Sequence, residues 1–337
     1  MGMDFRSDNT HGCSPEILEA LARANVGTMS SYGDDEITAR VRERCRALFA
    51  CDLEVFPVLT GTAGNALSIA AMTPSTGSIV CHEEAHIRLE ELGASQFFTG
   101  GAALIPLAGT NGKLNAGDVQ AVETFSCLSF AQTTEAGTLY GVDEVRALCD
   151  AARAKGARVH MDGSRFANAV AALGCAPAEI TWRAGVDILS FGATKNGAMA
   201  AEVIVVFRKD LVEALVPHWH RSGHRLSKMR FLSAQLDAYF TDDLWLRNAR
   251  RANAAAARLA AGLRPYLEIV RPVESNFVFV RIPPPLVETL RARGFDFYDW
   301  QLFGADVHRL ATACATTDAE VDAFIETVRK SAPAAPT

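Results

Sequence analysis

Between residues 55 and 207, short apolar runs alternate with segments of helical periodicity, and this alternation constrains the fold more than any other feature of the chain. Runs at 55–59, 78–81, 102–107, 127–131, 158–161, 187–191 and 202–207 read as strands. Helical spacing fills 62–72, 86–92, 116–122, 142–155 and 165–172 between them. Such a pattern calls for an α/β fold, with a mixed, mostly parallel sheet covered on both faces by helices. Upstream, Ser14-Pro15-Glu16 reads as the cap, first-turn proline and first-turn acid of a helix reaching Ala24. Ile37, Val41, Cys45 and Leu48 mark a second helix over 34–50.

The pattern changes after residue 208. Long helices are expected over 227–239 and 243–263. A strand at 276–281, a proline bend at 283–285 with a helix after it, a strand at 309–312 and a final helix over 318–330 complete a smaller α+β unit. The expected division is 1–240 for the N-terminal segment and large domain, 241–330 for the small C-terminal domain, and 331–337 as a disordered tail.

Composition removes several classes of function. A formal net charge of −6 on 337 residues argues against a sequence-independent nucleic-acid binder. No apolar run approaches the length of a membrane span, and the first residues lack the apolar core of a signal peptide. The eight cysteines contain no Cys-x-x-Cys pair and no zinc-like spacing, so no metal site is expected. Reduced thiols in a cytoplasmic protein are the simpler reading.

Chemistry gathers where the expected strands end. In Ser190-Phe191-Gly192-Ala193-Thr194-Lys195-Asn196-Gly197, a lysine follows an apolar strand inside a glycine-flanked loop. In open α/β sheets, ligands bind at the C-terminal ends of strands. A lysine amine in such a crevice is a nucleophile candidate, although most loop lysines are solvated surface charges. Asp162 ends an earlier strand. With Gly163 and Ser164 behind it, it reads either as a helix cap or Asx-turn or as a carboxylate against a pyridine nitrogen. Together Lys195 and Asp162 suggest pyridoxal phosphate (PLP) bound as a Schiff base.

Gly61-Thr62-Ala63-Gly64-Asn65 lies between a strand and a helix, where Gly61 and Thr62 could cradle a phosphate or form an ordinary turn. His86 is a stacking and proton-moving candidate as well as a capping histidine, whereas neighbouring His82 reads as structural. Arg165 and Arg309 are candidate carboxylate binders, or else surface ion pairs.

The ordered set of motifs resembles the threonine aldolases. It comprises Phe5-Arg6-Ser7-Asp8-Asn9-Thr10, Tyr32-Gly33-Asp34-Asp35, Thr60-Gly61-Thr62, Ala85-His86-Ile87, His160-Met161-Asp162-Gly163-Ser164-Arg165, the Lys195 segment, 223–230 and 309–312. The resemblance implies the fold-type I PLP architecture shared with aspartate aminotransferase, and a homotetramer, a dimer of dimers, with active sites at subunit interfaces. It implies Lys195 as the cofactor's covalent anchor, Asp162 on the pyridine nitrogen, His86 stacked on the ring, and Gly61 and Thr62 on the phosphate. Ser7, Arg165 and Arg309 would bind the substrate carboxylate. Arg230 would reach a neighbouring subunit's phosphate, and Tyr32 would lie near the site, from the partner chain.

The implied reaction is retro-aldol cleavage of L-threonine, L-allo-threonine or a related L-β-hydroxy-α-amino acid to glycine and an aldehyde. His86, or a water it orients, is the candidate base. One position departs from the family pattern: Gln132-Thr133-Thr134-Glu135 places Thr134 where many threonine aldolases carry a second histidine. That leaves threo/allo preference open and makes a bulkier substrate such as L-phenylserine plausible. The other readings are PLP-dependent β-elimination or transamination and a non-catalytic PLP-fold binding module. A nicotinamide-dependent dehydrogenase is disfavoured because no glycine fingerprint opens the first strand–helix turn.

Overall fold

A computed structural model describes residues 3–331. Its strands are β1 (Met3–Asp4), β2 (Glu54–Val58), β3 (Ser78–His82), β4 (Ala103–Leu107), β5 (Cys127–Ala131), β6 (Arg158–Gly163), β7 (Ile188–Gly192), β8 (Glu202–Val206), β9 (Phe277–Arg281), β10 (Phe295–Asp296), β11 (Tyr298–Asp299) and β12 (Val307–Ala311). Seven of them form one sheet in the order β2-β8-β7-β6-β5-β3-β4. Within it β8 alone runs against the rest. Every residue of β7 and of β8 is buried, as expected of strands covered on both faces.

Local chemistry sets the helices on the sheet. Thr60 caps the helix Gly61–Met72 by accepting the Ala63 N–H at 3.1 Å. From Ala63 to Met72 that helix is buried all round, so it runs inside the molecule. Asp35 caps Glu36–Phe49 through the Thr38 N–H at 2.8 Å.

Register aligns the ends of the parallel strands. Ala131 pairs with Asp162, and Asp162 with Ser190, so the segments leaving β5, β6 and β7 emerge side by side. Gly192 needs its missing side chain here, because a Cβ would sit 2.4 Å from the Ser164 carbonyl oxygen.

A second apolar core involves Phe5, Leu259, Leu263, Val278, Leu310 and Phe324, beside the antiparallel sheet β11-β12-β9. The two cores change over within the helix Leu244–Leu263, between Ala249 and Ala255. The N-terminal strand β1 pairs with β10 near the C-terminal end of the chain, and Phe5 packs in the second core.

Three helical details differ from expectation for local reasons. The helix at His86 ends at Leu89, because Leu92 and Gly93 adopt left-handed backbone (φ 49° and 80°). Ala94–Thr99, only six residues between two left-handed glycines, is too short to show periodicity. Val212–Arg221 carries Pro217 in its interior, which hides a helix from sequence reading. Of the expected tail, Ser331 closes the last helix, Asp318–Ser331, and 332–337 lie outside the described residues.

Candidate active site

The turn after β7 holds Lys195 on a fixed base. Asn196 donates its side-chain amide to the Tyr239 hydroxyl and the Trp245 carbonyl, both at 2.8 Å, and its own carbonyl accepts from Asn248 at 2.8 Å. The Ala193 N–H is taken by the buried Glu202 carboxyl at 2.7 Å. Gly197 closes the turn with φ 108°, where a Cβ would meet the Ser14 hydroxyl at 2.4 Å. The backbone bearing Lys195 is therefore bonded on several sides while its side chain faces open space.

That space consists of two adjoining cavities. One, of about 240 Å³, is bordered by Thr60, Gly61, Thr62, Asn65 and Ser164. The other, of about 270 Å³, is bordered by Ser7, Glu135, Arg165, Trp300 and Arg309. Asn9, His86 and Lys195 line both. Lys195 thus stands at the junction of a compartment next to a helix N-terminus and a compartment carrying two guanidinium groups.

Asp162 lies against the first compartment. It accepts the Ser164 N–H (2.9 Å) and hydroxyl (2.7 Å) and the Asn65 amide (2.9 Å). Burial alone would raise its carboxyl. His86, Lys195 and the Ser164 bonds outweigh that and hold it below the ordinary carboxylate range. The same Asn65 nitrogen donates to Glu91 at 2.8 Å, and Glu91 pairs with His86 Nδ1 at 2.9 Å. A polar chain therefore runs His86–Glu91–Asn65–Asp162. Burial would lower the His86 imidazole, yet Glu91, Glu135 and Asp162 raise it above its usual value. At Glu202 burial outweighs the bonds from Thr194 and Ala193 and the Lys195 charge, and pushes the carboxyl up to about 7.

In the second compartment Arg165 is bound by Asp8, Nε to Oδ2 at 2.7 Å and Nη2 to Oδ1 at 2.8 Å. Arg165 and Arg309 both stack on the Phe277 ring, at 4.2 and 4.9 Å. Arg309 also lies over Trp300 at 4.4 Å, and its buried Nε has no partner. Burial and the Arg165 charge push Arg309 down to about 10. An anion bound there would offset both effects.

Of the residues named from sequence, Lys195, His86, Gly61, Thr62, Ser7, Arg165 and Arg309 border these cavities, and Asp162 is one hydrogen bond away. Tyr32 and Arg230 border neither in this chain. The Tyr32 ring lies under Arg225, and Arg230 reaches the Gly27 carbonyl at 3.3 Å. Thr134 also lies outside them, with its hydroxyl bonded to the Thr138 hydroxyl at 2.7 Å. Sequence reasoning assigned no role to Asp8, Asn65, Glu91, Glu135, Glu202 or Trp300. Asp8, Asn65 and Glu135 stood inside quoted motifs, but nothing local distinguished their side chains. Among the described residues no group of three or more His, Cys, Asp or Glu could hold a metal ion, and no helix is long and apolar enough to cross a membrane.

Comparison with solved structures places the fold. A threonine aldolase of Leishmania major superposes with a TM-score of 0.91 at 24 % identity, over 97 % of this chain and 98 % of that one. Aspartate aminotransferase of Thermus thermophilus superposes at 0.71 and 16 %, over 98 % and 91 %. The architecture is therefore that of the fold-type I enzymes. In sequence the chain is 42 % identical to a low specificity L-threonine aldolase of Pseudomonas aeruginosa, over 87 % of this chain and 88 % of the relative. It is 38 % identical to one from a Pseudomonas species over 96 % of both. The family model for beta-eliminating lyases matches residues 4–283. With most of its length covered in each of these comparisons, the chain belongs to the beta-eliminating lyase family and groups there with the low-specificity L-threonine aldolases.

Proposed function

We propose that this protein is a PLP-dependent carbon–carbon lyase that cleaves L-threonine, L-allo-threonine or related L-β-hydroxy-α-amino acids to glycine and an aldehyde. The observation that carries the reading is the position of Lys195 at the junction of the two cavities. One offers what a pyridine phosphate needs, the other what an amino-acid carboxylate needs.

The donor set fits PLP. The first-turn N–H groups of Gly61 and Thr62 have no intrahelical acceptor and face a phosphate-sized opening. At Gly61 a Cβ would approach the Ser164 hydroxyl to 3.3 Å, so a side chain there would crowd the opening. The carboxylate of Asp162 is kept ionised and would accept from a protonated ring nitrogen, Lys195 Nζ would hold the aldehyde carbon, and His86 would lie across the ring. When bound, the cofactor supplies an electron sink for charge developing at the substrate α-carbon.

The chain's own groups then orient the substrate. Arg309 Nε, the Arg165 edge left free by Asp8 and the Ser7 hydroxyl hold its carboxylate, which fixes how its α-carbon is presented. Asp8 keeps Arg165 in a single orientation. His86, or a water it orients, is the base assigned by the family resemblance. Trp300 and Tyr298 border the same cavity. The reading also divides the chain at 240/241 into a cofactor-binding body and a C-terminal lobe. It makes the protein a cytoplasmic homotetramer in which Tyr32 and Arg230 serve a neighbouring subunit's site.

Incubation of the purified holoenzyme with L-threonine tests the proposal. Acetaldehyde and glycine in equal amounts are expected, and ketoacid or ammonia without aldehyde would overturn it. The family description keeps β-elimination as the second reading, which that product analysis separates. A panel of threonine, allo-threonine and phenylserine then ranks the substrates.

A further inference from the structure

The segment leaving β5 carries a side chain that neither the fold nor the proposed chemistry has used. Thr134 is buried, and its hydroxyl is spent on the Thr138 hydroxyl (2.7 Å) and the Thr138 N–H (3.2 Å). The next residue, Glu135, borders the arginine cavity together with His86, Lys195, Arg165 and Arg309. Its carboxylate makes no hydrogen bond or ion pair among the described residues.

Its backbone, by contrast, is held firmly. The Gly137 N–H returns to the Thr134 carbonyl at 2.9 Å, and the Thr134 N–H donates to the Thr138 carbonyl at 3.0 Å. Ser275 donates to the Gly137 carbonyl at 2.8 Å, and the Leu139 N–H to Glu274 at 2.7 Å. Gly137 itself has φ 75°, with the Phe277 Cβ only 2.9 Å from where its own Cβ would lie. A tight turn braced against the arginine-bearing wall thus presents one unpartnered carboxylate to the substrate.

We propose that Glu135 is the group that accepts the proton of the substrate's β-hydroxyl. The inference rests on the aldol-cleavage reading above and moves the base from His86 to this carboxylate. His86 Nδ1 is engaged by Glu91, and the neighbouring carboxylates raise the ring's affinity for a proton, whereas the Glu135 carboxylate in the same cavity has no partner among the described residues. In the step, the β-oxygen's O–H bond breaks and its proton passes to Glu135. The O–H electron pair becomes the second C–O bond of the aldehyde, and the Cα–Cβ bond breaks with its pair left at the α-carbon. Glu135 then gives its proton to solvent and one proton from solvent reaches that carbon to complete glycine, so atoms and electrons balance without a co-reactant.

Glycine itself separates this role from all others in the site. Exchange of its α-hydrogens with D2O needs the cofactor, Lys195 and the carboxylate arginines, but no β-hydroxyl base. Wild type, E135Q and E135A holoenzymes are assayed for acetaldehyde release from L-threonine and for glycine α-hydrogen exchange by NMR. Expected is a fall of about 100-fold or more in threonine kcat/KM in both variants, with glycine exchange at the wild-type rate. Loss of both activities in the variants, retention of both, or full rescue of cleavage by glutamine overturns the assignment. A wild type that exchanges glycine but releases no acetaldehyde overturns the underlying aldolase reading instead.

Discussion

Asp8 and Arg165, 157 residues apart, form a two-bond buried ion pair whose outer edge faces the arginine cavity. Asn276 adds a third bond to the same carboxylate at 3.0 Å. The N-terminal segment, the β6 exit and the C-terminal sheet are thereby tied together behind the arginine cavity. Removing one partner of such a pair strands the other charge in the interior. D8A is expected to lower stability by about 3–5 kcal/mol and to weaken glycine binding, as read by denaturant unfolding and calorimetric titration. Burial would raise the Asp8 carboxyl, but Arg165 outweighs it and holds it below its ordinary value. Its contribution is therefore present above the unfolded-state pKa and lost as pH falls through the lower folded-state value.

The Lys195 side chain makes no hydrogen bond or ion pair among the described residues, and its turn is held by Ala193 and Asn196, so K195A should fold normally. The holoenzyme is expected to show a visible absorption band that borohydride bleaches. K195A should show no borohydride-stable attachment and lose cleavage activity. Absorbance after borohydride treatment and gel filtration checks both points. A variant with full covalent labelling would remove Lys195 as the anchor.

The Glu91 side chain is fully buried and supports His86 from behind. Burial disfavours the imidazolium, and the bond from Glu91 is the leading influence that raises it. E91Q should therefore lower the His86 pKa, a change that NMR titration of the imidazole reads directly. An unchanged or higher value would show that Glu135 and Asp162 alone set the charge of the ring.

His160 is enclosed between the hydroxyls of Ser129 and Ser190, each at 2.9 Å, and burial pushes it down to about 4 from 6.5. Between those values the unfolded chain binds a proton that the folded chain refuses. Stability should fall as pH drops from 6.5 toward 4, by about 3 kcal/mol in all. H160Q should flatten that part of the stability profile. Urea unfolding across the pH range measures both curves.

The strands of five residues or more were legible because their signals are local, whereas the two-residue strands β1, β10 and β11 are too short to carry a pattern and were not expected. Each buried parallel strand is a short apolar run between turn residues, and observed ends lie within a residue or two of those expected. Helices with a cap and a clear apolar face, such as Glu36–Phe49 and Val142–Ala154, were equally plain. Those that broke a local rule were not, as Pro217 within Val212–Arg221 shows. The site divides in the same way. Asp162 and Lys195 stood out by ending strands, whereas Asn65 and Glu91 gave no sign of bridging Asp162 to His86. Thr134 drew attention by departing from a motif, yet its neighbour Glu135 reaches the cavity.

From the sequence alone came the α/β class, the strand ends that carry chemistry and the resemblance that names a cofactor. These depend on periodicity, turn residues and motif order, all readable along a single line. Tertiary structure decided that Lys195 joins two compartments, that Asp8 orients Arg165, and that Glu135 rather than Thr134 borders the arginine cavity. Such relationships depend on strand register and on which crossover returns where. They pair residues up to hundreds of positions apart, and no local pattern records that pairing.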